Sequence, residues 1–225
     1  MGQAIGNILP LAVVVAISPI PIIAMVLMLA TPRARSNGPA FTLGWVAGLA
    51  VLGGIVLVLA TGNATQDSGE PATWVDVLML VFGLAFLVLA VRTWQKRPRP
   101  GQETQLPKWM DTVDTFTASR SLGSGVVLAA VNPKNLVLTV AAAITIAESD
   151  ISGGQEALAL AVFVLVASLS VFALLAIYFV MGARATEFLG GLKTWLAAHN
   201  AAIMTVLLLV LGAKLIGDAI SGLSS

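Results

Sequence analysis

The sequence contains no cysteine, which excludes disulfides, iron–sulfur clusters, thiolate zinc sites and thiol redox relays. Histidine occurs once, at His199, and a single imidazole cannot assemble a histidine metal cluster. Charge is scarce as well. Asp, Glu, Lys and Arg make up 10% of the chain, against roughly 25% in soluble domains. There is no phosphate-binding glycine loop, no serine–histidine pair at a workable depth and no paired-aspartate site, so the chain does not read as an enzyme, and no catalytic residue, metal or cofactor is expected. The formal net charge of +1 is uninformative as a total, and no nucleic-acid partner is expected.

Apolar surface is what the chain has in abundance. Hydrophobic residues make up 58% of it and the mean hydropathy is +0.95. A hydrocarbon core about 30 Å thick needs about 20 apolar residues per helix. Runs at about 8–30, 40–61, 73–94, 122–146, 156–181 and 199–220 meet that length and predict an all-α membrane protein with six transmembrane helices. The first run lacks a basic n-region and an A-x-A cleavage site, and it is too long for a signal peptide, so it reads as a retained helix. A basic loop at 96–121 divides the chain into two three-helix halves, 1–95 and 122–225.

Lysine and arginine set the orientation. Arg33 and Arg35 follow the first helix; Lys96, Arg97, Arg99, Lys108 and Arg120 follow the third; Arg184 and Lys193 follow the fifth. The alternate connections carry Asp67, Glu70, Glu148 and Asp150 and no basic residue. The positive-inside rule then places the basic loops in the cytoplasm and both termini outside an inner membrane. Within the central loop, Leu106, Trp109, Met110, Val113 and Phe116 recur at helical spacing, with Pro107 suited to a first turn, and predict a short amphipathic helix in the inner interface.

An odd number of helices per half inserts the halves in opposite orientations, and particular residues argue for an inverted repeat. Ser18-Pro19-Ile20-Pro21 interrupts the first helix and Asn132-Pro133-Lys134-Asn135 the fourth, while Gly83 and Gly212 fall at comparable depths in the third and sixth. Proline lacks an amide hydrogen and clashes with the carbonyl four residues back, so helices 1 and 4 should break or kink. Paired interruptions in inverted halves point to a transporter's midplane site. Half-helix N-termini are positive, and Lys134 adds a full charge where no Asp or Glu lies near mid-span, which suits an anionic headgroup. Ser18, Pro19, Pro21, Asn132, Pro133, Lys134 and Asn135 are therefore the expected substrate-binding residues. The alternative for Lys134 is structural: its stem reaches an interface or its ammonium bonds carbonyls loosened at the break. Lys214, Asp218 and Asp76 are candidates for coupling or gating, although Lys214 and Asp218 also have the spacing of an ordinary helical ion pair. Gly44 and Gly48 form a GxxxG that lets helices pack closely.

The proline motifs, with Thr31-Pro32-Arg33-Ala34-Arg35 and the segment from Trp109 through Phe116 and Arg120 into Val131-Asn132-Pro133-Lys134-Asn135-Leu136, resemble the GAP family over essentially the whole chain. These are the glycopeptidolipid- and sulfolipid-addressing proteins of mycobacteria and related actinobacteria, within the lysine exporter (LysE) superfamily. The resemblance implies six spans in inverted repeats and delivery of large glycolipids to the cell surface. The superfamily's thiol-electron carriers use paired cysteines, which this chain lacks. The expected function is export or flipping of an anionic lipid or glycolipid by alternating access around the Pro19 and Pro133 breaks. The other readings are an exporter of a small solute such as an amino acid or ion, and an accessory scaffold for lipid synthesis or export proteins. Membrane lipids or a glycolipid substrate are the expected partners, and a homo-oligomer stays open.

Overall fold

A computed structural model describes residues 1–64, 73–95, 97, 112, 113, 115–149 and 151–223. Among them the chain is helical: α1 Gly2–Ala16, α2 Pro19–Ala30, α3 Ala34–Ala64, α4 Thr73–Gln95, α5 Ala118–Ala130, α6 Pro133–Ala147, α7 Gly153–Ala167, α8 Leu169–Met181 and α9 Ala183–Leu223. Among the described residues two helices, α3 and α9, are long and apolar enough to cross a membrane alone, and counting each bent pair as one span raises the number to five. Large apolar side chains such as Val51, Val58, Val131 and Val180 lie exposed along these helices, a surface suited to lipid rather than water.

Two of the bent pairs break where the prolines stand. α1 and α2 meet at 51°, α5 and α6 at 63°. A residue before proline is driven out of the helical region. Ser18 accordingly takes φ −65°, ψ 117°, and Asn132 takes φ −60°, ψ 119°. Each proline then occupies the first position of the next helix, where its missing N–H is an orphan in any case. Pro10 and Pro39 lie inside α1 and α3 without ending them.

Two expectations need correcting. The fifth span is not continuous over 156–181: α7 and α8 meet at 52° at Ser168, with no proline there. The last helix does not begin near 199 but at Ala183, straight after a turn at Gly182, whose φ of 56° suits glycine. Arg184 and Lys193 therefore sit on a helix and not in a loop. Of the central amphipathic segment, Leu106, Pro107, Lys108, Trp109 and Met110 lie outside the described residues. Val113 is buried, and its carbonyl accepts the Phe116 N–H at 2.9 Å.

The helices cluster into two units. Residues 1–66 and 106–194 form the first, and 67–105 and 195–225 the second. In the first unit α3 lies against α5 at backbone distance. A Cβ on Gly44 would strike the Leu122 carbonyl, one on Gly125 the Phe41 carbonyl, and one on Gly48 would stand 2.9 Å from the Ala129 Cβ. Residue numbers rise together along this contact, so α3 and α5 run parallel. Asn37 donates to the Phe116 carbonyl at 3.1 Å and to Thr31 Oγ1 at 3.2 Å. That ties the α2–α3 turn to the residues just before α5, at one end of the unit. In addition, α1 packs on α6 and α7, and α2 on α3 and α8. In the second unit Gly83 and Gly212 face each other: a Cβ on either would lie 3.0 or 2.9 Å from the other's carbonyl oxygen.

Candidate functional site

The break between α5 and α6 supplies side chains to three helix ends. Asn132 is the N-cap of α6, and its Oδ1 accepts the Lys134 backbone N–H at 3.2 Å. Lys134 itself is 3% exposed, and its ammonium crosses to the first span, donating to the Val14 carbonyl at 2.9 Å. That carbonyl belongs to the last turn of α1, where the backbone donor four residues on is diverted: the Ser18 N–H bonds Val15 O instead, at 3.2 Å. Asn135, fully buried, donates from Nδ2 to the Leu128 carbonyl in the last turn of α5 at 3.0 Å. One turn of α6 thus satisfies carbonyls that both breaks release, which broken helices in lipid must find from neighbours.

Polar capacity remains unused around it. An ammonium has three donors, and the bond to Val14 employs one. Among the described residues the ion pair is Lys214–Asp218, not one to Lys134. Asn135 Oδ1, Thr139 Oγ1 and Ser168 Oγ are buried without a partner among the described residues. Buried polar groups are rarely left unpaired, so each of these marks a place for water or a ligand.

The structure brings together the expected Lys134, Asn132 and Asn135 with the last turn of α1, immediately before Ser18. Ser18 is 1% exposed and makes no capping bond; Pro19 and Pro21 are buried in the first turn of α2. Having no N–H, they thin the set of free amides at that N-terminus, so the positive charge of the region rests mainly on Lys134. Pro133 is exposed at the start of α6. Lys214 and Asp218 lie exposed in the second unit, paired with each other one turn apart. The side chain of Asp76 lies outside what is described. Two participants carry no sequence signal: Val14 acts through a backbone carbonyl, and Ser168 breaks a helix without proline.

A profile of the Sap, sulfolipid-1-addressing protein family matches residues 8–221. The chain belongs to that family. No curated protein and no solved structure matches it. Both breaks, Lys134 and the Gly83–Gly212 contact fall inside the matched stretch, so the site just described belongs to the part of the chain that the Sap profile covers.

Proposed function

We propose that this Sap-family protein moves an anionic lipid or glycolipid from the inner to the outer face of the cell membrane, by alternating access around the Pro19 and Pro133 breaks. The observation that carries the reading is Lys134. An ammonium buried with no carboxylate partner among the described residues costs several kcal/mol in effective desolvation, and the hydrogen bond to Val14 returns only about 1.5–3 kcal/mol. A neutral donor would serve the Val14 carbonyl more cheaply. A full charge held between two broken helices is what an anionic sulfate, phosphate or carboxylate headgroup requires. The family is named for a sulfolipid, which is a lipid of that charge.

The same reading includes six spans in two inverted repeats, kinship with the lysine exporter superfamily, and both termini outside. Its supports are geometric. The two pre-proline residues share one backbone conformation, and Gly83 and Gly212 meet reciprocally. Since α3 and α5 run parallel, residues 65–117 must return the chain to the end at which α3 began. α4 has 23 residues, about 34 Å of helix, against a core of about 30 Å. No catalytic chemistry enters the proposal.

Headgroup capture is tested with a photoactivatable anionic glycolipid. It should label probes at Ile22 and Leu136, both half-buried beside the breaks, and excess unlabelled anionic glycolipid should compete while neutral lipid does not. Protection by free amino acids or ions instead would replace the lipid reading with the small-solute one. Purely annular labelling, insensitive to both, would favour an accessory scaffold.

A further inference from the structure

Two broken helices in the first unit run side by side and bend alike. α1 packs on α7, and α2 packs on α8; the bends are 51° and 52°. First half meets first half and second meets second, so the junctions at Ser18 and Ser168 are level. Together they form one crease across a pair of parallel helices. From this geometry we infer that α2 and α8 are a single hinged arm, turning about Ser18 and Ser168 against a frame of α1, α6 and α7; the inference rests on the transport reading and names its moving part.

The crease is weak where a hinge must be weak. At Ser18 the helical ladder is interrupted: Pro19 and Pro21 have no N–H, and the Ile22 N–H reaches the Ser18 carbonyl at a long 3.5 Å. At Ser168 the N–H is shared between the Val164 and Leu165 carbonyls at 3.1 and 3.2 Å, and the buried hydroxyl has no partner. A hydroxyl without a fixed bond can exchange acceptors as the bend changes. A few element-terminal residues absorbing the angle is the usual build of a hinge.

Lys134 ties α6 to the last turn of α1. Within the arm α8 is lightly seated, with Val171 and Leu174 its buried residues, whereas α2 buries Ile23, Ala24, Met25, Val26, Met28 and Leu29. The far end of the arm rides over Gly38 of α3, where a Cβ would stand 2.7 Å from Leu29 of α2 and 3.1 Å from Leu175 of α8. Both arm helices thus touch α3 at a residue with no side chain to obstruct sliding.

The cysteine-free chain suits a spin-label test in lipid nanodiscs. Ala30→Cys with Val180→Cys lies within the arm, Val13→Cys with Leu158→Cys within the frame, and Val13→Cys with Val180→Cys spans the crease; all four side chains are exposed. The first two pairs should each give one distance by double electron–electron resonance. The crease-spanning pair should give two populations whose ratio shifts when anionic glycolipid is added. One unchanging distance across the crease, or a split within the arm as large as that across it, would overturn the hinge. Populations that respond to a free amino acid and not to lipid would keep the hinge and remove the lipid reading, so the two fail separately.

Discussion

Lys134 is the residue on which stability and function pull apart. Replacing it with methionine removes a buried charge and leaves one carbonyl, Val14 O, unpaired, a loss of about 1–3 kcal/mol that relief from charge burial offsets. Lys134→Met should therefore melt in detergent at or above the temperature of the unchanged protein, while lipid movement falls at least about tenfold, equivalent to 1.4 kcal/mol in the barrier. Retained activity in a well-folded Lys134→Met protein would make the lysine a helix-end donor and nothing more. Asn135→Ala should behave in the opposite way. It strips the Leu128 carbonyl of its donor with no charge to relieve, so it should lower stability by about 1–3 kcal/mol. The sequence made Lys134 and both asparagines visible as rare polar residues beside a proline. It could not reveal Val14, because a carbonyl that accepts a hydrogen bond belongs to every residue type alike.

At the scale of elements, glycine spacing was readable and helix breaks only partly so. Gly44-x-x-x-Gly48 anticipated a close helix contact, and α3 and α5 meet there with carbonyls at the glycine positions. Gly44→Ala should therefore cost more than about 4 kcal/mol or prevent insertion, since its Cβ meets backbone that cannot yield. Gly54→Ala, on the same helix with open space around it, should be neutral or slightly stabilising, by up to about 1 kcal/mol; quantifying folded protein by thermal melting separates the two. The breaks at Ser18 and Asn132 were legible because proline dictates the conformation of the residue before it. The one at Ser168 was not. It lies in a helix pair packed beside α1 and α2, and an apolar run with serines at 168 and 170 scans as an uninterrupted span. The early start of α9 was hidden for a related reason: Arg184, Glu187 and Lys193 make residues 183–198 look like a loop, though they carry no helix breaker beyond paired glycines at 190 and 191.

For the whole molecule, charge and parity carry the argument. The contact of Asn37 with Phe116 puts the first basic turn and the end of the central basic loop together, the same end that the lysine and arginine count assigns to the cytoplasm. In sealed cells, a membrane-impermeant maleimide should label Ser152→Cys and spare Ser36→Cys, both exposed sites at helix starts; the reverse pattern would invert the orientation. The central claim, movement of an anionic lipid through the Lys134 site, is tested most directly in vesicles holding the purified protein and a fluorescent sulfated glycolipid confined to one leaflet. Transfer to the other leaflet, followed with an impermeant quencher, should be fast with the unchanged protein, slow with Lys134→Met, and selective for the sulfated lipid over its neutral counterpart. Equal rates for the two proteins, or for the charged and neutral lipids, would contradict it.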